Sequence, residues 1–242
     1  MAQEAGALAL ENRARGFEWE SKPDHSPVTS ADKANERLIC KLLEAAYPED
    51  GILGEEGAAR ESRSGRRWII DPIDGTRDFV RGIPTWSVLL ALEADGEVVA
   101  GACNQAALGE LYSAANGLGA FCNGVSIHVG PAKSRGEAIL CLTALKNLAG
   151  HEFSDRLIPW MAGFWTVRSM GGCLDAMLVS SGVADAWIEA QAKPWDLAPL
   201  KIIAQEAGCV TFDFTGKDTI YGGNYVICVP SLADEMKRFI TS

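Results

Sequence analysis

The sequence predicts an α+β fold made of two closely packed lobes. In the first half of the chain, helical stretches are followed by strand patterns separated by short glycine turns, which indicates a largely antiparallel sheet. In the second half, strand and helix patterns alternate, which is typical of an α/β unit. The chain becomes polar around residues 130–135, so we expect an N-terminal α+β lobe at 1–130 and a C-terminal α/β lobe at 131–242.

The N-terminal lobe begins with two predicted helices. Residues 3–16 are rich in Ala, Leu, Glu and Arg, which favour helix. Residues 31–47 carry apolar side chains at helical spacing, and Ser30 is expected to cap this second helix. Between the two helices, KPDHSPVTSADK predicts a loop or a hairpin.

Strand patterns fill the rest of the N-terminal lobe. The segments GILG and WII are short apolar strands that each run directly into acidic residues. Two strands are expected within 85–103, joined by a turn at Asp95 and Gly96, and further strands within 110–129.

The C-terminal lobe continues with alternating patterns. Strands are expected at AILCLTAL, 164–167, ADAWIEA and 225–229. Helices are expected near 151–162 and at 171–182, 196–207 and 232–240.

Composition limits the class of partner. The net charge of −10 argues against nucleic acid or an anionic membrane. The seven cysteines form no CxxC pair, which is typical of reduced thiols in a cytoplasmic protein. No run approaches the ~18 apolar residues that a membrane span needs, and the N-terminus lacks a signal-peptide pattern. We therefore expect a cytoplasmic protein whose partner is a small molecule.

Carboxylates recur where predicted strands end or a helix starts. Glu55 and Glu56 follow one strand, Asp71 and Asp74 follow the next, and Asp196 opens a helix. Each pattern alone usually marks a solvated turn or a helix cap. Together they can converge on one cleft, and ligands that offer only oxygen suit Mg²⁺.

The turn DPIDGT adds further candidate contacts to the carboxylates. The carbonyl of Ile73 is a natural extra metal ligand between Asp71 and Asp74. Gly75 and Thr76 follow, and their backbone N–H groups could hold a phosphate if a helix starts there.

These segments resemble the motifs of the inositol monophosphatase-like family of metal-dependent phosphatases. The motifs are D-P-x-D-G-T-x-x-F at 71–79, W-D-x-A at 195–198 followed by E-A-G at 206–208, G-E-E at 54–56, S-P-V-T-x-A-D at 26–32 and G-x-G-A-F-x-N-G at 117–124. The resemblance covers nearly the whole chain. It implies a layered αβαβα fold, usually a homodimer, and two or three Mg²⁺ ions per active site.

The resemblance also implies roles for the acidic residues. Glu55, Asp71 and the Ile73 carbonyl would ligate the ion that activates the attacking water. Asp71, Asp74 and Asp196 would ligate a second ion beside the leaving oxygen. Hydrolysis of a phosphomonoester would then proceed by direct in-line attack of the water.

Other residues would support this reaction. Gly75 and Thr76 would contact the phosphate, and Asp32 would hydrogen-bond Thr76 and help to orient the attacking water. Lys22 stands where the family often has a lysine, and Glu56 adjoins a ligand; the roles of both stay open.

The substrate is less clearly indicated by the sequence. Glu189 lies seven residues before Asp196, where inositol phosphatases place a glutamate that binds hydroxyls, but it could equally bind an ammonium or imidazole group. The segments FVRGIPTWSVLLAL, AKPWDLAP and IYGGN resemble the histidinol-phosphate phosphatase branch. L-Histidinol phosphate is cationic at its amine, so Glu189 with Asp185 and Asp74 would suit it. Arg81 is a further candidate contact.

Alternative functions remain open at this point. Inositol 1-phosphate is the second choice of substrate, followed by fructose 1,6-bisphosphate and 3′-phosphoadenosine phosphates. A non-catalytic metabolite-binding or regulatory member is a different class of function. The intact set of Glu55, Asp71, Asp74, Thr76 and Asp196 argues against that class, because a binding module would not need all five.

Overall fold

The computed structural model describes residues 1–23, 25–131 and 133–241 and shows the predicted α+β fold. The chain opens with α1 (Ala2–Arg15), β1 (Trp19–Ser21), β2 (Pro27–Thr29) and α2 (Ser30–Ala46). The cap of α2 is Thr29 and not Ser30, because the Thr29 hydroxyl oxygen accepts the N–H groups of Ala31 and Asp32. This cap places Asp32 in the first turn of the helix.

The first large sheet has eight strands among the described residues. They are β3 (Gly51–Gly54), β4 (Ala59–Arg60), β5 (Arg66–Asp74), β6 (Ser87–Ala94), β7 (Glu97–Gln105), β8 (Glu110–Ala115), β9 (Gly119–Cys122) and β10 (Val125–Ile127), in the spatial order β10-β9-β8-β7-β6-β5-β3-β4. Among these eight strands, only β3 and β5 pair in parallel. Their carboxyl ends, which carry the acidic motifs, therefore meet at one edge of the sheet.

A second, five-stranded sheet is built from the C-terminal part of the chain. Its strands are β11 (Ile139–Thr143), β12 (Thr166–Arg168), β13 (Ala186–Glu189), β14 (Val210–Phe212) and β15 (Tyr225–Cys228), in the order β12-β11-β13-β15-β14. Strand β14 was not predicted, because it is only three residues long and follows α7 closely.

Helices connect and cover the sheets. They are α3 (Thr76–Arg81), α4 (Leu145–Leu148), α5 (Ser154–Met161), α6 (Gly172–Ser180), α7 (Pro194–Glu206) and α8 (Ala233–Thr241). None of the described helices combines the length and apolar character that crossing a bilayer requires.

Alternating side chains of β5 show how the layers form. Ile70 belongs to the apolar cluster that includes Leu43 of α2, whereas its neighbour Ile69 belongs to the cluster that includes Ile203 of α7. Successive strand residues point to opposite faces, so α1 and α2 cover one face of the first sheet and α6 and α7 the other. Burial of each such side chain contributes about 1.5–3 kcal/mol to stability.

The second sheet completes the layered order. Trp187 of β13 belongs to the same cluster as Ile203, so α6 and α7 lie between the two sheets. The other face of this sheet packs on α5 and α8, represented by Leu157 and Met236. The result is the predicted αβαβα sandwich. Because the two sheets share one apolar layer, the division into lobes at residue 130 stays a prediction.

Close packing fixes α7 against the first sheet. A Cβ atom added to Gly101 of β7 would lie 2.8 Å from the Cα of Pro199 and 2.6 Å from Cγ2 of Ile202. Glycine at this position therefore lets the helix approach the sheet backbone. The approach brings Asp196, in the first turn of α7, toward the end of β5.

Candidate active site

A cavity of about 1010 Å³ opens between the two sheets. The end of β5, the start of α3, the first turns of α6 and α7, and the end of β13 all contribute to its lining. The convergence of strand ends and helix starts at one cavity follows from the layered order. It brings together segments that are far apart in the sequence.

The turn after β5 is shaped by its own hydrogen bonds. The Ile73 N–H donates to Asp71 Oδ1 at 3.0 Å, and the Pro72 carbonyl accepts a hydrogen bond from Asn35 of α2 at 3.2 Å. Gly75 then takes the left-handed conformation with φ of 79°, which favours glycine. The chain can therefore turn sharply from β5 into α3, with Asp71 and Asp74 on either side of the turn.

Three carboxylates converge at this turn. One oxygen from each of Asp71, Asp74 and Asp196 lies within 4.8 Å of the other two. Asp196 is held in place by the Lys193 N–H, which donates to its Oδ2 at 2.7 Å. Glu55, at the end of β3, also lines the cavity. We call Glu55, Asp71, Asp74 and Asp196 the acidic wall.

The pKa values of three members of the acidic wall, Asp71, Asp74 and Asp196, are raised. Burial, together with the charges of Glu55, Asp74 and Asp196, raises the pKa of Asp71 well above its usual range. Burial is also the main reason that the pKa of Asp74 rises to about 6 and that of Asp196 to about 8. Without a cation, crowded carboxylates relieve their repulsion by keeping protons. A divalent cation would relieve it equally well, so this set of oxygen donors fits Mg²⁺.

A lysine already provides one positive charge at this wall. Lys22, from the hairpin before α2, donates to Glu55 at 2.9 Å and to Glu56 at 2.7 Å. Burial opposes protonation of this amine, but the two carboxylates raise its pKa above the usual value. Burial raises the pKa of Glu56 to about 7. Lys22 thus ties the hairpin to the loop after β3.

The loop that carries Glu55 is anchored by a buried residue of α2. The carboxylate of Glu36 accepts the N–H groups of Glu56 at 2.9 Å and of Ala58 at 3.0 Å. These bonds fix the backbone on either side of the acidic pair. Glu36 was not identified from the sequence, because an acidic residue within a helix usually faces solvent.

Asp32 lies behind Thr76 and not in the cavity. The Thr76 hydroxyl is within hydrogen-bond distance of Asp32 Oδ1 (3.3 Å) and of the Ile73 carbonyl (3.1 Å). Asp32 is fully buried, and its Oδ2 accepts the Thr29 N–H at 2.8 Å. Burial raises the pKa of Asp32, against the hydrogen bonds from Thr29. The structure therefore contains the predicted contact between Asp32 and Thr76.

A cysteine touches the acidic wall, which sequence reasoning did not anticipate. The Cys173 thiol, at the start of α6, donates to Asp74 Oδ2 at 2.8 Å. This thiol is buried, and burial raises its pKa well above the usual value. It therefore acts as a neutral donor. No sequence signal distinguishes Cys173 from the other scattered cysteines.

Two further carboxylates line the cavity beyond the acidic wall. Glu189 ends β13, is 7% exposed, and accepts the Gln191 N–H at 3.1 Å. Burial raises its pKa to about 8. Asp78 of α3 also lines the cavity, and its Oδ2 accepts a hydrogen bond from the Thr85 hydroxyl at 2.6 Å. Glu189 was predicted as a site residue and Asp78 was not.

Two predicted substrate contacts lie elsewhere. Asp185 is fully buried at the start of β13, accepts the Ile139 N–H at 2.7 Å and pairs with Lys133 at 3.2 Å. It sits at the opposite end of the strand from Glu189, so sequence proximity was misleading. Arg81 ends α3 as an exposed residue and is not among the residues that line the cavity.

The sequence of this chain is similar to those of known phosphatases. A model of the inositol monophosphatase family matches residues 1–241. A histidinol-phosphatase of Chlorobaculum parvum is 38% identical over 228 residues, covering 94% of this chain and 88% of that protein. A histidinol-phosphatase of Mycobacterium tuberculosis is 38% identical over 222 residues, covering 90% and 85%.

A solved structure shares the fold along the whole chain. The extragenic suppressor protein suhB from Bartonella henselae superimposes with a TM-score of 0.91 at 28% identity, covering 100% of this chain and 95% of that one.

Proposed function

The chain belongs to the inositol monophosphatase family and is a phosphoric monoester hydrolase, and we propose that its substrate is L-histidinol phosphate. The observation that carries this proposal is Glu189. It is a buried carboxylate that lines the cavity from the end of β13, in the second sheet, and it is not a member of the acidic wall. A buried carboxylate that faces a phosphorylated substrate can be matched by positive charge on that substrate, in addition to the charge of bound cations. L-Histidinol phosphate brings an ammonium group and a basic imidazole. The similarity to two proteins named histidinol-phosphatase supports the same substrate.

We infer that the acidic wall and the Ile73 carbonyl hold Mg²⁺, with two or three ions per site. When bound, these ions would lower the pKa of the attacking water and neutralise the leaving oxygen. The crowding of Asp71, Asp74 and Asp196 within 4.8 Å supports this assignment.

The chain's own groups would bind and orient the phosphate. We assign the backbone N–H groups of Gly75 and Thr76 to the phosphate oxygens, because the left-handed turn at Gly75 directs this segment into the cavity. Asp32 would act through Thr76 by fixing the orientation of its hydroxyl. Trp195 and Leu197 line the cavity beside Asp196 and would limit the access of bulk water.

Hydrolysis of two substrates, side by side, tests the proposal. Phosphate release from L-histidinol phosphate and from myo-inositol 1-phosphate is measured with Mg²⁺ at matched concentrations. We expect kcat/KM for L-histidinol phosphate to be higher by about tenfold or more, equivalent to ~1.4 kcal/mol. The reverse preference would make the protein an inositol phosphatase and would overturn the proposal.

The variant Glu189→Gln sharpens this comparison. The amide keeps the size of the side chain but removes its charge. We expect kcat/KM for L-histidinol phosphate to fall about tenfold while hydrolysis of myo-inositol 1-phosphate changes little. An equal loss for both substrates would show that Glu189 does not select a cationic substrate.

A further inference from the structure

Asp78 is a cavity carboxylate without an assigned role. The acidic wall accounts for the metal ligands, and Glu189 lies across the cavity on the second sheet. Asp78 sits in the first turn of α3, and its N–H donates to the Gly75 carbonyl at 2.9 Å. Its backbone is therefore part of the same turn as the phosphate loop.

A glycine pair separates Asp78 from Glu189. A Cβ atom on Gly171 would lie 3.1 Å from the Thr85 hydroxyl, which holds Asp78. A Cβ atom on Gly172 would lie 3.7 Å from Oε2 of Glu189. The start of α6 therefore lies close both to Glu189 of β13 and to Thr85, the hydrogen-bond partner of Asp78. We call Asp78, Thr85, Gly171, Gly172 and Glu189 the rim.

The negative charge of Asp78 would be matched by a positively charged group of the substrate as well as by bound cations. Asp78 stands in the helical turn that follows Asp74, so it adds a negative charge to a cavity that already holds the acidic wall. It would also repel a phosphate bound at Gly75. A neutral serine or asparagine could hold the Thr85 hydroxyl without this cost. The second oxygen, Oδ1, has no hydrogen-bond partner among the described residues.

We propose that Asp78 is a specificity-determining residue that binds the ammonium group of the substrate, while Glu189 binds its imidazole. This inference rests on the proposed function. In 2-amino-3-(imidazol-4-yl)propyl phosphate, the amine is on the carbon next to the one that bears the phosphate oxygen, whereas the imidazole lies farther along. The group nearer to the phosphate is matched to the carboxylate nearer to the phosphate loop.

A pair of substrates that differ only in the amine tests this assignment. L-Histidinol phosphate is compared with 3-(imidazol-4-yl)propyl phosphate, its analogue without the amine, in the wild type and in Asp78→Asn. The asparagine oxygen still accepts the Thr85 hydroxyl, so only the charge is removed. We expect the wild type to prefer the amine-bearing ester by about tenfold or more in kcat/KM.

The variant should lose this preference selectively. In Asp78→Asn we expect the ratio of the two kcat/KM values to fall to within about threefold, mainly through a higher KM for L-histidinol phosphate. Glu189→Gln should lower kcat/KM for both esters alike, because both carry the imidazole. Arg81→Ala, which changes an exposed charge of the same helix outside the cavity, is the matched control and should keep the wild-type ratio.

Clear outcomes would overturn the inference. One is a wild-type preference that persists in Asp78→Asn but disappears in Glu189→Gln, which would exchange the two roles. Another is a wild type that turns over L-histidinol phosphate yet does not distinguish it from the analogue. The proposed function itself fails on a different measurement, a wild-type preference for myo-inositol 1-phosphate over L-histidinol phosphate.

Discussion

The acidic wall and the rim face the same cavity but are built in different ways. The wall is drawn from short segments in which a strand end or a helix start presents its carboxylates directly, as with Asp71 and Asp74 at the end of β5. The rim is assembled from residues that meet only in the folded protein, such as Thr85 and Gly171. Each carboxylate of the wall can therefore be recognised from its own local segment, whereas the choice of substrate depends on how the two sheets are packed together.

The largest expected effect is on the wall. Asp71→Asn should lower kcat/KM by more than about 100-fold, or ~2.7 kcal/mol, because one of the three converging carboxylates of the proposed metal site is lost. The melting temperature of the metal-free protein should hold or rise, because the substitution replaces an ionisable group that is buried in a crowded site. Retention of more than about a tenth of wild-type kcat/KM would remove Asp71 from the metal site.

Asp185 tests whether a buried carboxylate outside the cavity behaves differently from the rim. Asp185→Asn should destabilise the protein by about 1–3 kcal/mol, because Lys133 and the Ile139 N–H lose a charged partner. The ratio of kcat/KM for L-histidinol phosphate and myo-inositol 1-phosphate should stay at the wild-type value. Denaturant unfolding and the two-substrate assay measure both quantities. A changed ratio with unchanged stability would return Asp185 to the substrate site.

Variants of Cys173 test whether its hydrogen bond positions Asp74 in the wall. Cys173→Ala removes the donor to Asp74, so Mg²⁺ affinity measured by calorimetry should fall by about three- to tenfold. Cys173→Ser keeps a donor and should recover most of that affinity. Equal affinities for the alanine variant and the wild type would show that the thiol does not position Asp74.

A further expected effect is a dependence of stability on pH. On folding, the pKa of Asp74 rises from 3.8 to about 6 and that of Asp196 from 3.8 to about 8. Between pH 3.8 and about 8 the folded state therefore holds more protons than the unfolded state. Stability of the metal-free protein should therefore fall as the pH rises from about 4 to 8. The melting temperature measured at each pH reports this dependence, and saturating Mg²⁺ should reduce it. A metal-free protein whose stability increases over this range would contradict the crowding of the wall.

Much of the fold and of the wall could be predicted from the sequence. A strand that runs directly into an acidic turn, as at Asp71, can be recognised because its residues are neighbours in the sequence. Strand β14 was missed because three residues give too little periodicity to detect. Asp185 was misplaced because sequence proximity to Glu189 does not show that the two lie at opposite ends of β13.

The rim shows where sequence reasoning stops. Asp78 lies within the D-P-x-D-G-T-x-x-F motif, but the motif does not show that its carboxylate lines the cavity. Nor does it show that Thr85 lies against the start of α6, because both placements depend on tertiary packing. Cys173 touches Asp74 across 99 positions of the chain. The expected homodimer and cytoplasmic location also depend on information outside one folded chain, and both stay predictions.

Direct measurement of Mg²⁺ binding tests the central claim, that the acidic wall is a divalent-cation site. Metal-free wild type, Asp71→Asn and Asp185→Asn are titrated with Mg²⁺ in a calorimeter at neutral pH. We expect saturable binding to the wild type, an affinity lower by about tenfold or more in Asp71→Asn, and wild-type binding in Asp185→Asn. Equal binding by the wild type and Asp71→Asn, or no binding by the wild type at millimolar Mg²⁺, would contradict the account.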